Sequence, residues 1–336
     1  MSSSTHHNQL SLFSIVLLLL LSSTLSAELC HPDDKRTLFK IKKAFNNAYM
    51  FASWTHNTDC CGWYLVTCDE TTHRVITLSV SKDDEVAGHI PDTVGDLPYL
   101  EQLILTNLPK LTGPIPHAIS KLKNLKYLWL SHNNLTGPIP DFVGHLSKLT
   151  YINLSVNKLT GPIPASLSSL KELGALFLER NQLTGHIPES FGKFKHHTDF
   201  YVKLAKNKLS GPLPKSLGDP NFALLDLSRN SFTGDASMLF GKNKDLQTVD
   251  LSRNKFSFDL SKVVLPRSLF QLDLSHNMIY GGIPSMLPTL PNLYNFNVSY
   301  NRLCGRIPTG GIMKQFDKYD YAHNKCLCGS PLPRCK

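Results

Sequence analysis

The stretch Leu125-Lys126-Tyr127-Leu128-Trp129-Leu130-Ser131-His132-Asn133-Asn134-Leu135-Thr136-Gly137-Pro138-Ile139-Pro140 decides the fold, because it returns. Its pattern of leucines, asparagine and Thr-Gly-x-Ile-Pro recurs from Leu149 to Pro164 and again from Leu173 to Pro188. Looser copies carry the asparagine onward: Asn133, Asn157, Asn181, Asn207, Asn230, Asn254, Asn277 and Asn301 stand 24, 24, 26, 23, 24, 23 and 24 residues apart. Two less regular units, around Leu78 and Leu103, bring the count to about ten. A fixed period in this range marks a stack of one repeated supersecondary unit.

One unit cannot fold alone. Leu128 and Leu130 point the same way from a short strand, and strands of successive units pair in parallel about 4.8 Å apart, so each unit buries its leucines only against its neighbours. The recurrent Asn is a residue type whose amide satisfies backbone groups at the turn leaving the strand. Gly137, Gly161, Gly185 and Gly211 permit the bend that follows, and Pro140, Pro164, Pro188 and Pro214 fix an extended stretch before the convex side. The expected fold is an α/β solenoid: a right-handed leucine-rich-repeat superhelix of about ten 24-residue repeats with a parallel concave β-sheet.

A solenoid exposes its core at both ends unless capped. Eight cysteines fall in two groups, Cys30, Cys60, Cys61 and Cys68 at the front and Cys304, Cys326, Cys328 and Cys335 at the back. Two disulfides in each cap are expected, and a zinc site is disfavoured because no paired Cys-x-x-Cys arrangement is present. Leu38, Ile41, Ala44 and Phe45 follow helical spacing, predicting an amphipathic helix over the first repeat. The apolar run Leu10 to Leu21, ending in small residues at Ser26-Ala27, reads as a signal peptide, too short for a mature membrane span. The expected division is a signal peptide at 1–27, an N-terminal cysteine cap at 28–70, repeats at 71–303 and a C-terminal cysteine cap at 304–336. The net charge of +9 then faces an extracellular setting, which favours uronic-acid polysaccharides or acidic protein surfaces and makes nucleic acid a poor partner.

Residues between and around the inward leucines face the concave side. The central column reads Ile104, Trp129, Asn153, Phe177, Lys203, Asp226, Asp250, Asp273 and Asn297. With Tyr127 and Tyr151 beside it, Trp129 and Phe177 form an aromatic cluster on adjacent strands, the usual material of binding hot spots. Further along, Asp226, Asp250 and Asp273 form an acid ladder, and the column three residues on supplies Arg180, Lys206, Arg229, Arg253 and His276, cations expected to neutralise it. Catalysis is disfavoured. The acids are regular and adjacent on one flat sheet, where a glycosidase opposes its two carboxyls across a bond. Asp273, Ser275 and His276 contain triad residue types, but Ser275 fills a slot that holds Ser131, Ser155, Ser228, Ser252 and Ser299 elsewhere. His196-His197 lacks further metal ligands, so no catalytic residue, metal or cofactor is expected. Sequons stand at Asn134, on the rim, and at Asn153 and Asn297, on the concave face.

Several segments match one family. Cys30-His31-Pro32-x-Asp34-Lys35, Asp59-Cys60-Cys61-x-Trp63, the Leu-Thr-Gly-x-Ile-Pro repeats, Gly234-Asp235-Ala236-Ser237 and Asn324-Lys325-Cys326-Leu327-Cys328-Gly329-x-Pro331-Leu332-Pro333 resemble plant polygalacturonase-inhibiting proteins over residues 28–336. The resemblance implies bridges Cys30 to Cys60, Cys61 to Cys68, Cys304 to Cys326 and Cys328 to Cys335. It also implies a secreted plant cell-wall defence protein, no enzyme itself, that binds fungal endopolygalacturonases through the concave sheet and slows cleavage of homogalacturonan. The family's concave Gln in the eighth repeat is matched by Gln247, whereas its acidic residue in the fourth repeat's central slot is replaced by Asn153. Two alternatives share the scaffold: a protein that binds pectin (homogalacturonan) or a peptide without inhibiting an enzyme, and an ice-binding protein. The columns are too mixed in charge and too aromatic to favour ice.

Overall fold

The computed structural model describes residues 29–194 and 200–336. One parallel strand per repeat, from Val75–Ser81 to Asn295–Asn297, lines up in chain order, and Val66–Cys68 adds an antiparallel edge to make an 11-stranded sheet. Leu128 pairs in register with Ile152, and Ile152 with Leu176. These side chains, with Leu130, Leu154 and Leu178, are wholly buried in one core that runs the length of the stack. The chain is a leucine-rich-repeat solenoid.

The asparagine column is its spine. Asn133 Oδ1 accepts from the backbone of Leu108 at 2.9 Å, while Nδ2 donates to the carbonyls of Leu105 at 2.8 Å and Leu130 at 3.0 Å. Asn157 does the same one repeat on, accepting from Leu135 N–H and donating to Leu130 and Leu154. Each amide thus binds its own repeat to the one before it and satisfies backbone groups that burial would otherwise leave unpaired.

The extended stretch after the turn does more than the sequence predicts. Its strands, from Ala87–His89 to Lys255–Phe256, pair into a second, eight-stranded parallel sheet. Stacking at one strand spacing sets these stretches side by side, so their backbone groups pair with each other. The convex side is then formed by 3₁₀ turns such as Asp141–His145, entered through Pro140 at φ −72°. Gly144 marks how closely these turns approach: a Cβ there would lie 2.3 Å from the Ser166 carbonyl oxygen.

Both ends are closed. Helix α1 (Pro32–Ala44) buries Leu38, Ile41 and the adjoining Phe45, while Ala44, expected on that face, is exposed. Asp34, buried on the same helix, accepts from Val75 N–H at 2.9 Å and from two Arg74 nitrogens at 2.9 and 2.7 Å, which ties the cap to the first strand. Trp54 and Trp63 stack beside the cysteines with ring centroids 5.4 Å apart. Disulfides join Cys30 to Cys60 and Cys61 to Cys68 here, and Cys304 to Cys326 and Cys328 to Cys335 at the far end. There the fully buried Tyr321 lies against Phe296, their ring centroids 5.9 Å apart. The expected signal peptide and the His196-His197 pair lie outside the described residues, and among those described no helix is long and apolar enough to cross a membrane.

Candidate partner-binding face

Parallel register turns each sequence column into a straight row across the concave sheet. Trp129 sits beside Asn153, Asn153 beside Phe177, Phe177 beside Lys203, and then Asp226, Asp250, Asp273 and Asn297 follow in order. The row flanking it sets Tyr127 beside Tyr151, with Ala175 between Tyr151 and Tyr201.

The four predicted aromatics meet. Tyr151 is their centre, with ring centroids 5.9 Å from Tyr127, 5.7 Å from Trp129 and 5.6 Å, edge to face, from Phe177. Lys203 Nζ lies 5.2 Å from the centre of the Phe177 ring, a cation–π contact that extends the cluster towards the acid ladder. Trp129 is pinned by its indole N–H, which donates to Ser131 Oγ at 2.6 Å. Gly174 and Ala175, too small to fill the next positions, help to leave an open trough of about 470 Å³ bordered by Tyr127, Tyr151, Phe177 and Tyr201. Burial, reinforced by the charge of Glu179, raises the Tyr151 hydroxyl above the ordinary phenol range, so it stays protonated.

Asn153 corrects the expectation made of it. It is only 8% exposed, and both ends of its amide are engaged: Oδ1 accepts from Ser155 N–H at 3.1 Å and Ser155 Oγ at 2.7 Å, and Nδ2 donates one hydrogen to Tyr151 Oη at 3.2 Å. Asn153 therefore offers a partner little surface and instead orients Tyr151.

The acid ladder also differs from expectation. Arg229, Arg253 and His276 make no ion pair with Asp226, Asp250 or Asp273 among the described residues. Instead each Asp Oδ1 accepts a backbone N–H two residues on, from Ser228 at 3.0 Å, Ser252 at 2.9 Å and Ser275 at 2.9 Å. Burial and the neighbouring Asp250 charge push the carboxyls of Asp226 and Asp273 up, beyond what those bonds and nearby Lys203 or Arg253 offset. The reason the cations stand apart is backbone geometry. Arg180, Lys206, Arg229, Arg253 and His276 all occupy the left-handed region, at φ 54–56°, on the turn leaving the sheet. Arg180, Arg229 and Arg253 are exposed there, as is Gln247 at the head of its strand. His276 stacks on Tyr300 at 4.2 Å, and Tyr300 on His323 at 4.1 Å. Desolvation, then Arg253 and Arg229, hold the His276 imidazole below its usual range.

One residue of this face was passed over. Glu179 fills the slot that holds serine in most repeats, and the next repeat has Ala205 there. One carboxyl oxygen of Glu179 is buried without a hydrogen-bond partner among the described residues, and burial, with Asp226 adding to it, raises the group above the usual carboxylate range. The departure from serine is the signal that could have found it.

Sequence profiles match this chain at a leucine rich repeat N-terminal domain over residues 31–69 and at leucine rich repeats over 124–146, 148–170, 172–194 and 268–290. The chain is similar to polygalacturonase inhibitor 2 of Arabidopsis thaliana, 61% identical over 97% of this chain and 99% of that protein. Leucine-rich repeat protein FLOR 1 of the same plant is 56% identical over 97% of this chain and 98% of its own length. A plant ice-binding protein of solved structure is similar at 48% identity and a TM-score of 0.88, covering 92% of this chain and 99% of that one.

Proposed function

The chain belongs to the polygalacturonase-inhibitor family of plant leucine-rich-repeat proteins, and from that premise we propose that it is a secreted cell-wall defence protein that binds and inhibits fungal endopolygalacturonases through its concave sheet. The observation that carries the reading is the cluster around Tyr151. Four aromatics on adjacent strands, bordering an open trough and held by hydrogen bonds to Asn153 and Ser131, supply rigid contact area at low entropic cost. Lys203, Glu179 and the ladder beyond add charges that select among partners and set orientation. The exposed cations Arg180, Arg229 and Arg253 form a second, basic edge that suits a uronic-acid polymer, so salt-sensitive attachment to pectin is compatible with the same placement.

The test is release of reducing ends from polygalacturonate by a panel of fungal endopolygalacturonases, with the secreted protein titrated in. Dose-dependent loss of activity for one or more enzymes supports the reading. Full activity across the panel at saturating protein removes inhibition of those enzymes as the function. The similarity to an ice-binding protein favours a second reading, which a thermal-hysteresis measurement decides. The irregular central column, running from Trp129 through Lys203 to Asp273, argues against it.

A further inference from the structure

The trough beside Tyr151 differs in chemistry from the charged rows around it. Tyr127, Tyr151, Phe177 and Tyr201 wall it, with the small Gly174 and Ala175 between them, and among the described residues neither a charged side chain nor a carboxamide lines it. The backbone there is spent on the sheet: the Thr150 carbonyl accepts from Gly174 N–H at 2.8 Å and Ala175 N–H at 3.2 Å, and the Gly174 carbonyl from Tyr201 N–H at 3.0 Å. Thr150 Oγ is spent as well, on the Lys126 carbonyl at 3.2 Å.

What remains is a set of hydroxyl donors. Those of Tyr127 and Tyr201 make no hydrogen bond among the described residues, and Tyr151 Oη, which accepts from Asn153 Nδ2 at 3.2 Å, keeps its own hydrogen to give. The trough therefore suits a ligand that is uncharged, apolar in body and supplied with acceptors but few donors. A uronic-acid polymer brings charges that nothing in the lining meets, and the hydroxyls of a neutral saccharide bring as many donors as acceptors. A proline-rich chain matches on each count. Proline has no N–H, and in the polyproline II helix the carbonyls are free of internal hydrogen bonds.

The spacing agrees with the chemistry. Residues on one face of that helix recur every third position, about 9.3 Å apart at a rise of about 3.1 Å. Tyr151 and Tyr201 share a row with Ala175 between them, which places them two strand spacings, about 9.6 Å, apart. A chain crossing the strands can lay one proline ring against each tyrosine and turn its carbonyls to the hydroxyls.

We propose that this trough docks a proline-rich polypeptide in the polyproline II conformation, the mode in which aromatic-lined grooves hold such chains. The assignment goes beyond enzyme inhibition but shares Tyr151 with it, so a bound proline-rich chain and an inhibited enzyme exclude each other.

The test titrates the intact protein into a fluorescently labelled oligoproline of about ten residues, about three turns of the helix, and reads anisotropy. Binding should saturate with a dissociation constant below about 1 mM, and a glycine-serine peptide of equal length should not bind. Tyr201→Ala should weaken the complex about tenfold, and Tyr201→Phe, which keeps the ring and loses the donor, about fivefold. Gly174→Leu fills the trough at little cost to the fold, since a Cβ at Gly174 meets only the Thr150 carbonyl oxygen, at 3.7 Å, and should also weaken binding about tenfold. Absence of saturation, equal binding of the glycine-serine peptide, displacement by a cello-oligosaccharide, or undiminished affinity in folded Gly174→Leu overturns the proposal. Enzyme inhibition that persists beside any of these leaves the inhibitor reading standing, whereas oligoproline binding with every enzyme left active removes the inhibitor reading alone.

Discussion

The asparagine spine and the central column of the concave sheet pass through the same repeats, yet one hardly varies while the other runs from aromatic through basic to acidic side chains. The spine is uniform because its chemistry is consumed internally: Asn133, Asn157 and Asn181 each bind backbone in two repeats. The central column keeps only a fraction of its chemistry for itself. At Asp226, Asp250, Asp273, Asn153 and Asn297 one oxygen holds a serine N–H, Trp129 instead donates to the Ser131 hydroxyl, and Phe177 and Lys203 pack on each other. A position whose polar atoms are spent on the backbone builds the scaffold, and a position with atoms left over is open to recognition.

The comparison breaks most visibly at the spine. Asn157→Ala orphans the buried Leu135 N–H and takes from the Leu130 carbonyl one of its two amide donors, leaving it Asn133, and at about 1–3 kcal/mol for an unsatisfied buried group the expected loss of stability is about 2 kcal/mol, read as a fall in the denaturant midpoint. Partner binding by whatever protein remains folded should be unchanged.

The acid ladder is expected to respond to pH. An acid raised on folding stabilises the fold below its unfolded value and loses that contribution as pH rises through the folded one, so Asp226 and Asp273 weaken the C-terminal half as pH climbs towards neutral. Asn keeps the bond to the serine backbone, as Asn153 and Asn297 already do. The double variant Asp226→Asn, Asp273→Asn should therefore raise Tm by about 2–4 °C near pH 7, equivalent to about 1 kcal/mol. Below about pH 4 the gain should vanish. A pH-independent gain would assign the effect to packing instead.

Smaller effects sharpen the same contrast. Val156 holds φ 54° in the slot where neighbouring repeats place His132, Arg180 and Lys206, and a β-branched residue is poorly suited to that region. Val156→Asn should stabilise by about 1 kcal/mol in thermal unfolding. Tyr321 is fully buried with a hydroxyl that has no partner among the described residues, so Tyr321→Phe should leave stability unchanged or raise it by up to about 1 kcal/mol. A clear loss would reveal a hydrogen bond to water.

Much of the fold was legible because periodicity is chemistry repeated. The spacing of Asn133 to Asn301 located the spine, the flanking leucines located the concave strands, and the cysteine groups located the caps. The second sheet was not legible, since Thr136, Gly137 and Pro138 signal a bend and an extended stretch but not what lies beside it. The aromatic cluster was legible because strand register converts sequence columns into rows. The separation of Arg229 and Arg253 from the acids was not, because it depends on a left-handed turn that arginine does not announce. The burial of Asn153 escaped for a related reason: its neighbours Tyr151 and Ser155 close over it only in three dimensions.

The central claim, that recognition belongs to the aromatic strands and not to the spine, is tested most directly by Tyr151→Ala. This half-buried side chain contacts Tyr127, Trp129 and Phe177 but lies outside the wholly buried core. The measurement is its inhibition constant against a fungal endopolygalacturonase that the unmodified protein inhibits, with Tm determined in parallel. A rise of about 30-fold or more, the weight of a hot spot near 2 kcal/mol, with little change in Tm, is the predicted result. Undiminished inhibition by folded Tyr151→Ala would contradict the account.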